Sequence, residues 1–303
     1  MKKYVTAIVA MVCVANALAC EVCGCAVGGS TMGILPRFGR HFVGVKYNYT
    51  SFTSKHQTLF NGQPPVYSTE YLTIATLWGR YVPHKRVQLF AFAPYTYFAR
   101  NEEGVSIHTE GIGDITLMAN YVLLNTTDSA KRKFKHALQI GGGIKLPFGV
   151  TDRRDANGIL PQNMQQGTGS FDVPINLLYT LRYKKAGINV EAGYTVNNAG
   201  ANEYWYGNKF NGALRLFYWQ DYRNTSFLPQ IGINYEHRER DWYKPDGFLS
   251  FTGGDALSAT AVADVYFYKM AVGVGVKQPL IYNWGGGSVT EKISFTSSIV
   301  YMF

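Results

Sequence analysis

Between Gly111 and Tyr183 this chain alternates apolar and polar residues in three long runs, and no other stretch constrains the fold as much. In Gly111–Asn125, Ile115, Leu117, Ala119, Tyr121 and Leu123 share one face, while Asp114, Thr116, Met118 and Asn120 share the other. In His136–Gly149, Leu138, Ile140, Ile144, Leu146 and Phe148 oppose Gln139, Gly141, Gly143 and Lys145. In Gly167–Tyr183, Val173, Ile175, Leu177, Tyr179, Leu181 and Tyr183 oppose Asp172, Asn176, Thr180 and Arg182. Period-two patterning is the strand signature. Strands of soluble sheets average about five or six residues. Runs this long, with one apolar and one polar face, fit strands that cross a membrane in a closed barrel.

Composition supports that reading. Aromatic residues make up 15% of the chain and charged residues only 16%, against about 25% charged in soluble domains. Tyr and Phe in excess suit the aromatic girdles of a membrane barrel. After residue 20 no apolar run approaches the ~20 residues of a membrane helix. Net charge is +9, of which Lys2 and Lys3 supply two. The remaining basic residues are scattered, apart from KRKFK (Lys131 to Lys135) at an expected turn. Scattered charge argues against a nucleic-acid partner, which requires a basic stripe or patch.

The first 19 residues read as an export signal: Lys2 and Lys3, an apolar run from Val5 to Ala15, then Ala17-Leu18-Ala19 as a small-x-small cleavage motif. Cys20 follows directly, so simple cleavage before Cys20 and lipid attachment to Cys20 are both open. The mature chain begins with Cys20, Cys23 and Cys25 in CxxCxC spacing. Three thiolates could hold Cu(I) or Zn(II), with His41, His56 or Met32 as a fourth ligand. The alternative is a disulfide in an oxidising compartment. Residues 20–40 are Cys- and Gly-rich and are expected to form a periplasmic extension or a short plug; the barrel is expected over 41–303.

Twelve strand-like segments follow, near 42–53, 68–81, 87–99, 111–124, 134–148, 169–183, 187–197, 207–219, 226–237, 257–268, 271–281 and 291–303. An even count suits a single-chain bacterial barrel. Short connections alternate with long ones at 54–67, 100–110, 150–168, 198–206, 238–256 and 282–290, the pattern of periplasmic turns and outer loops. Tyr204, Trp205, Tyr206, Trp242 and Tyr243 lie in the long loops and are expected to cover the rim or touch a ligand. The last strand ends Ile299, Tyr301, Phe303. A C-terminal aromatic of this kind resembles the address read by barrel-assembly machinery. The fold expected is an all-β, antiparallel transmembrane barrel in the outer membrane, in contact with lipid and lipopolysaccharide.

If the apolar faces meet lipid, the lumen receives Lys46, Asp114, Lys145, Asp172, Arg182, Glu191, Arg215, Glu236, Asp264, Lys277 and Lys292. Counting through the turns, to within about two residues, puts Asp114 across from Lys145, Lys145 across from Asp172, and Glu191 across from Arg215. Opposite charges on neighbouring strands attract. They could form a charge-selective constriction, or a self-neutralising ladder that stiffens the wall.

Several glycine-based motifs carry a family resemblance: Gly111-Ile112-Gly113-Asp114 with Leu117 and Tyr121; Gly142, Gly143, Lys145, Leu146, Pro147 and Gly149; and Gly167-Thr168-Gly169-Ser170 with Asp172. As a set, over roughly residues 70 to 303, they resemble the bacterial outer-membrane transporter family associated with the meta-pathway of phenol degradation. The resemblance implies a barrel that passes hydrophobic or aromatic solutes. The cysteine cluster and Gly33-Ile34-Leu35-Pro36 fall outside that pattern and look like a Bacteroidetes-type variant.

Catalysis is not expected: Ser106 and His108 share a segment, but no nucleophile motif surrounds Ser106. The expected function is a channel for small solutes that needs no cofactor. The alternative is a metal-handling surface protein whose Cys20, Cys23 and Cys25 do the work while the barrel anchors it.

Overall fold

The computed structural model describes residues 41–56, 64–126, 133–155 and 158–303. The expectations for the export signal, for lipid on Cys20, for a plug over 20–40 and for copper or zinc at Cys20, Cys23 and Cys25 lie outside the described residues.

Twelve strands pair antiparallel, each with the next in sequence, and the last returns to the first. They are β1 (Phe42–His56), β2 (Val66–His84), β3 (Val87–Glu102), β4 (Val105–Ile112 continuing as Ile115–Asn125), β5 (Phe134–Leu146) and β6 (Val173–Tyr183). There follow β7 (Ala186–Val196), β8 (Lys209–Tyr218), β9 (Thr225–Arg238), β10 (Gly254–Phe267), β11 (Met270–Tyr282) and β12 (Val289–Glu291 continuing as Ser294–Met302). Closure leaves no free edge, which a wall in lipid requires because no water is there to satisfy backbone groups. Most outward positions are apolar: Val45, Leu77, Leu117, Ile175, Leu216 and Ile231 are all exposed. This is a membrane barrel, and its exterior is its lipid face.

One connection departs from expectation. Residues 100–110 are not a long loop. β3 and β4 continue to a two-residue turn, Glu103-Gly104, with φ of 47° and 85°. Two positive φ values give the turn whose twist matches paired strands, so the alternation of Val105, Ile107 and Thr109 belongs to the wall. Past Ile112 the wall bulges. Pairing steps from Tyr95↔Ile112 to Phe92↔Thr116, and Gly113 N donates to Pro94 O at 2.8 Å. The extra residue flips the phase, so odd positions face inward above the bulge and Asp114, Thr116, Met118 and Asn120 below it.

Candidate functional site

The inward face of β1 shows how the interior is layered. It reads Phe42, Gly44, then Lys46, Asn48, Thr50, then Phe52. Ten residues separate Phe42 from Phe52, about 33 Å along the strand. The two aromatic ends belong to two separate apolar layers, and the polar stretch between them faces a chamber.

The lower layer fills the end where β1 begins and β12 ends. Phe42, Trp78, Phe90, Phe92, Met118, Phe217, Leu228, Tyr266 and Met302 pack together, with contributions from every strand except β5 and β7. Trp78 stacks near Phe92 at 6.1 Å and meets Phe42 edge-on at 4.6 Å.

The upper layer is made partly by a loop. The described residues of the 147–172 loop, between β5 and β6, enter the barrel mouth. Leu160 and Met164 of this loop pack with Phe52, Leu72, Phe98, Ala256, Trp284 and Val289. Those partners come from β1, β2, β3, β10 and the β11–β12 side. In a twelve-strand ring the β11/β12 junction, which carries Trp284 and Val289, lies opposite β5/β6, so the loop spans the lumen from wall to wall. Thr109 Oγ1 donates to Met164 O at 2.6 Å, and Arg153 Nη2 to Glu110 O at 3.0 Å. Above the loop, three short strands, Tyr204–Trp205, Trp242–Tyr243 and Gly247–Phe248, form a small sheet. Tyr204 and Tyr206 are buried there with Leu249, and the Tyr206 hydroxyl donates to Gln162 Oε1 at 3.3 Å. Of the aromatics expected at the rim, these two are therefore structural parts of a cap, not exposed side chains. Trp205 and Trp242 meet edge-on at 4.4 Å within it.

The root of the loop carries a buried charge cluster. Lys145 Nζ lies 3.2 Å from Asp114 Oδ2, is paired with Asp172 Oδ2, and donates to Thr168 Oγ1 at 2.7 Å. Asp114 accepts from Gly149 N at 3.0 Å and from Thr168 N at 2.9 Å. Asp172 is fully buried and accepts from Ser170 Oγ at 2.7 Å and Asn198 N at 3.0 Å. Both ends of the loop are thus tied to one ammonium and two carboxylates. In the ladder Lys145 does face Asp172, while Asp114 sits two positions away from a direct pairing and reaches across because the bulge turns it inward.

The other sequence-derived charges are spread through the chamber. Glu191 Oε1 lies 2.8 Å from Arg215 Nη1; their ladder positions are also offset by two, so the pair is diagonal. Lys277 Nζ sits between Glu236 Oε1 at 3.1 Å and Glu291 Oε1 at 2.7 Å. Asp264 accepts from Gln230 Nε2 at 2.7 Å. Among the described residues Arg182 joins no acid; its guanidinium lies 5.6 Å above the Trp219 ring near the lower layer. Lys292 does not face the lumen. It falls in the break of β12, where the phase changes, and is exposed. His41 and His56 have protein partners: His41 Nδ1 accepts from Val82 N at 3.1 Å, and His56 Nε2 contacts Ser68 Oγ at 2.8 Å.

Sequence reasoning missed two elements. Leu160 and Met164 are apolar residues within a polar loop, and that contrast was a usable signal. Asp241, fully buried, is a second hub: it accepts from the Tyr204 hydroxyl and Gly207 N, each at 2.7 Å, and from Arg238 Nη2 at 3.1 Å. Nothing in Glu239-Arg240-Asp241-Trp242 distinguishes that acid from its neighbours.

Between the layers lies a cavity of about 160 Å³. Lys46, Asn48, Thr50, Arg215, Asn234, Glu236, Thr260, Asp264 and Lys277 give it polar walls; Phe52, Leu72, Ile74, Trp78 and Val262 give it an apolar side.

No family model and no curated protein matches the sequence. Among solved structures, the COG4313 outer membrane channel from Pseudomonas putida F1 is similar at a TM-score of 0.66 and 16% identity, over 89% of this chain and 97% of that one. The β domain of the Bordetella autotransporter BrkA is similar at 0.49 and 11% identity, over 86% of this chain and 99% of that one. The CymD monoaromatic hydrocarbon channel is similar at 0.40 and 9% identity, over 95% of each chain. The first of these likenesses carries the fold. With the closed ring and its apolar exterior, it places the chain in the outer membrane.

Proposed function

We propose that this barrel is an outer-membrane channel for small solutes, with the 147–172 loop as its gate. The observation that carries the reading is the polar chamber held between two apolar layers. A barrel serving only as an anchor gains nothing by burying many polar groups. Here Asn120, Asn176, Asn189, Gln230, Asn234 and Thr260 each keep a buried side-chain atom without a hydrogen-bond partner among the described residues. Unpaired buried polar atoms cost roughly 1–3 kcal/mol each. Such groups are tolerated where water or solute can reach them.

Entry from the outer side then needs the upper layer to part. The loop is joined to the wall by charge and hydrogen bonds at its root and by apolar packing at its tip. Displacing the tip opens the mouth while the root stays tied. The apolar wall of Phe52, Leu72, Ile74 and Trp78 favours solutes with an apolar or aromatic part, in line with the family its motifs resemble. The test is uptake by liposomes carrying the purified protein. Small aromatic solutes should enter faster than into empty liposomes. Equal rates for every solute tried would overturn the reading.

A further inference from the structure

Lys46 stands apart from the other charges of the chamber. Lys277 is held by Glu236 and Glu291, and Arg215 by Glu191. Glu236 also accepts from Asn234 Nδ2, and Glu291 from Trp284 Nε1. Among the described residues Asp264 has no cation within salt-bridge distance, but Gln230 donates to it. Lys46 has neither an ion-pair nor a hydrogen-bond partner among the described residues, and it lines the cavity. Arg215 and Glu191 are both close enough to act on its charge, with opposite signs, and Glu191 is already paired with Arg215. Two further donors at the cavity wall, the Trp78 indole N–H and Arg215 Nε, lack acceptors among the described residues.

The floor beside Lys46 is made of small side chains. Lys46 pairs across the ladder with Ser298, Ser298 with Gly273, and Gly273 with Asp264. The Asp264 carboxylate lies over Gly273 and, with the Ser298 hydroxyl, fills the space a side chain there would take, so the small residues let that acid lean toward the ladder partner of Lys46. Opposite the polar wall stand Leu72, Ile74 and Trp78.

An ammonium without a partner in a largely enclosed space is costly, since burial of a charge is compensated only by pairing. The missing counterpart is an anion with an apolar body. We infer that the chamber is a binding site for a small amphipathic carboxylate, its carboxyl on Lys46 and its apolar part against Leu72, Ile74 and Trp78. The inference rests on the channel reading for the route by which solute arrives, and it adds the chemical class that the chamber prefers. A charge-assisted hydrogen bond of this kind is among the stronger polar contacts.

The experiment uses the full chain and three one-ring probes of similar size: benzoate, benzyl alcohol and benzylamine. Binding is measured by calorimetry and entry by liposome uptake, for the wild type, Lys46→Gln and Lys46→Arg. Heat-modifiable gel mobility first confirms that each variant is folded. Benzoate should bind at least about tenfold more tightly than the other two. Lys46→Gln should abolish that preference, and Lys46→Arg should retain it. The inference is overturned by equal affinities, by no binding of any probe, by a preference for benzylamine (which would assign the site to Asp264), or by a preference that survives in Lys46→Gln. The channel reading fails separately. Benzoate bound as stated with no probe crossing keeps the site and removes the channel, and crossing without any preference does the reverse.

Discussion

Gly149 and Gly167 are pressed backbone to backbone at the root of the inserted loop, so that a Cβ on either would overlap the main chain of the other. The carbonyl of Val150, next to this contact, accepts from Gln166 N at 3.1 Å and Gly167 N at 3.0 Å. The loop can cross the lumen because its two arms enter side by side with no side chains between them. Gly149→Ala or Gly167→Ala should separate the arms at a cost of about 1–3 kcal/mol. Thermal melts in detergent should show a lower midpoint or a separate early transition. A melt identical to wild type would mean that the arms move apart without strain.

The Lys145 cluster should matter far more for stability than surface pairs do. Asp172 is fully buried between Lys145, Ser170 and Asn198. Breaking a buried pair from one side costs roughly 3–5 kcal/mol. Asp255 also has a side-chain partner, His237 Nδ1 at 2.8 Å, but both side chains are close to half exposed. Such pairs are worth ~0–1 kcal/mol. Urea titration in lipid should therefore separate Asp172→Asn from Asp255→Asn by more than about 2 kcal/mol. Similar losses for the two would show that the cluster is hydrated.

Gly141 lies inside the barrel, where a Cβ would overlap the side-chain amides of Asn120 and Asn176. Its missing side chain is thus already used by the neighbouring strands and does not widen the lumen near Lys145. Gly141→Ala should cost about 1–3 kcal/mol. Much of that cost should vanish when Asn120→Ser is made as well, giving a coupling well above the ~0.5 kcal/mol scatter of independent sites. An additive double mutant would contradict the packing described.

Much of this fold is legible in the chain. Period-two alternation gave all twelve barrel strands and the lipid face, because a wall between lipid and a polar chamber imposes that period on every strand. The turn at Glu103-Gly104 was not recognised, since two positive φ values can stand inside a run that looks like a loop. The pairing of Asp114 with Lys145 could be approximated only by counting, because the bulge at Gly113 shifts the register. What the alternation could not show was the cap. Tyr204, Tyr206 and Asp241 come together from separate loops, and only their fold in space makes them neighbours. Leu160 and Met164 belong to the same class: the sequence shows them as apolar, and only the structure shows what they cover.

The outward face makes a prediction of its own. Ile231, in the middle of β9, is exposed and pairs with Leu216 on β8. Ile231→Arg should destabilise the barrel in lipid by roughly 2–4 kcal/mol, the cost of a cationic side chain at the lipid midplane. Ile231→Leu should be nearly neutral. Reversible unfolding in liposomes reads both, and an arginine without cost would place that position outside the hydrocarbon.

Single-channel conductance in planar bilayers tests the gate most directly. The wild type should conduct weakly and intermittently, because Leu160 and Met164 cover the mouth against Phe52, Phe98 and Trp284. The double variant Leu160→Asp, Met164→Asp loses that packing but keeps the Lys145 cluster at the root of the loop. It should conduct more strongly and stay open longer. Equal conductance in the two proteins, or none in either, would contradict the account.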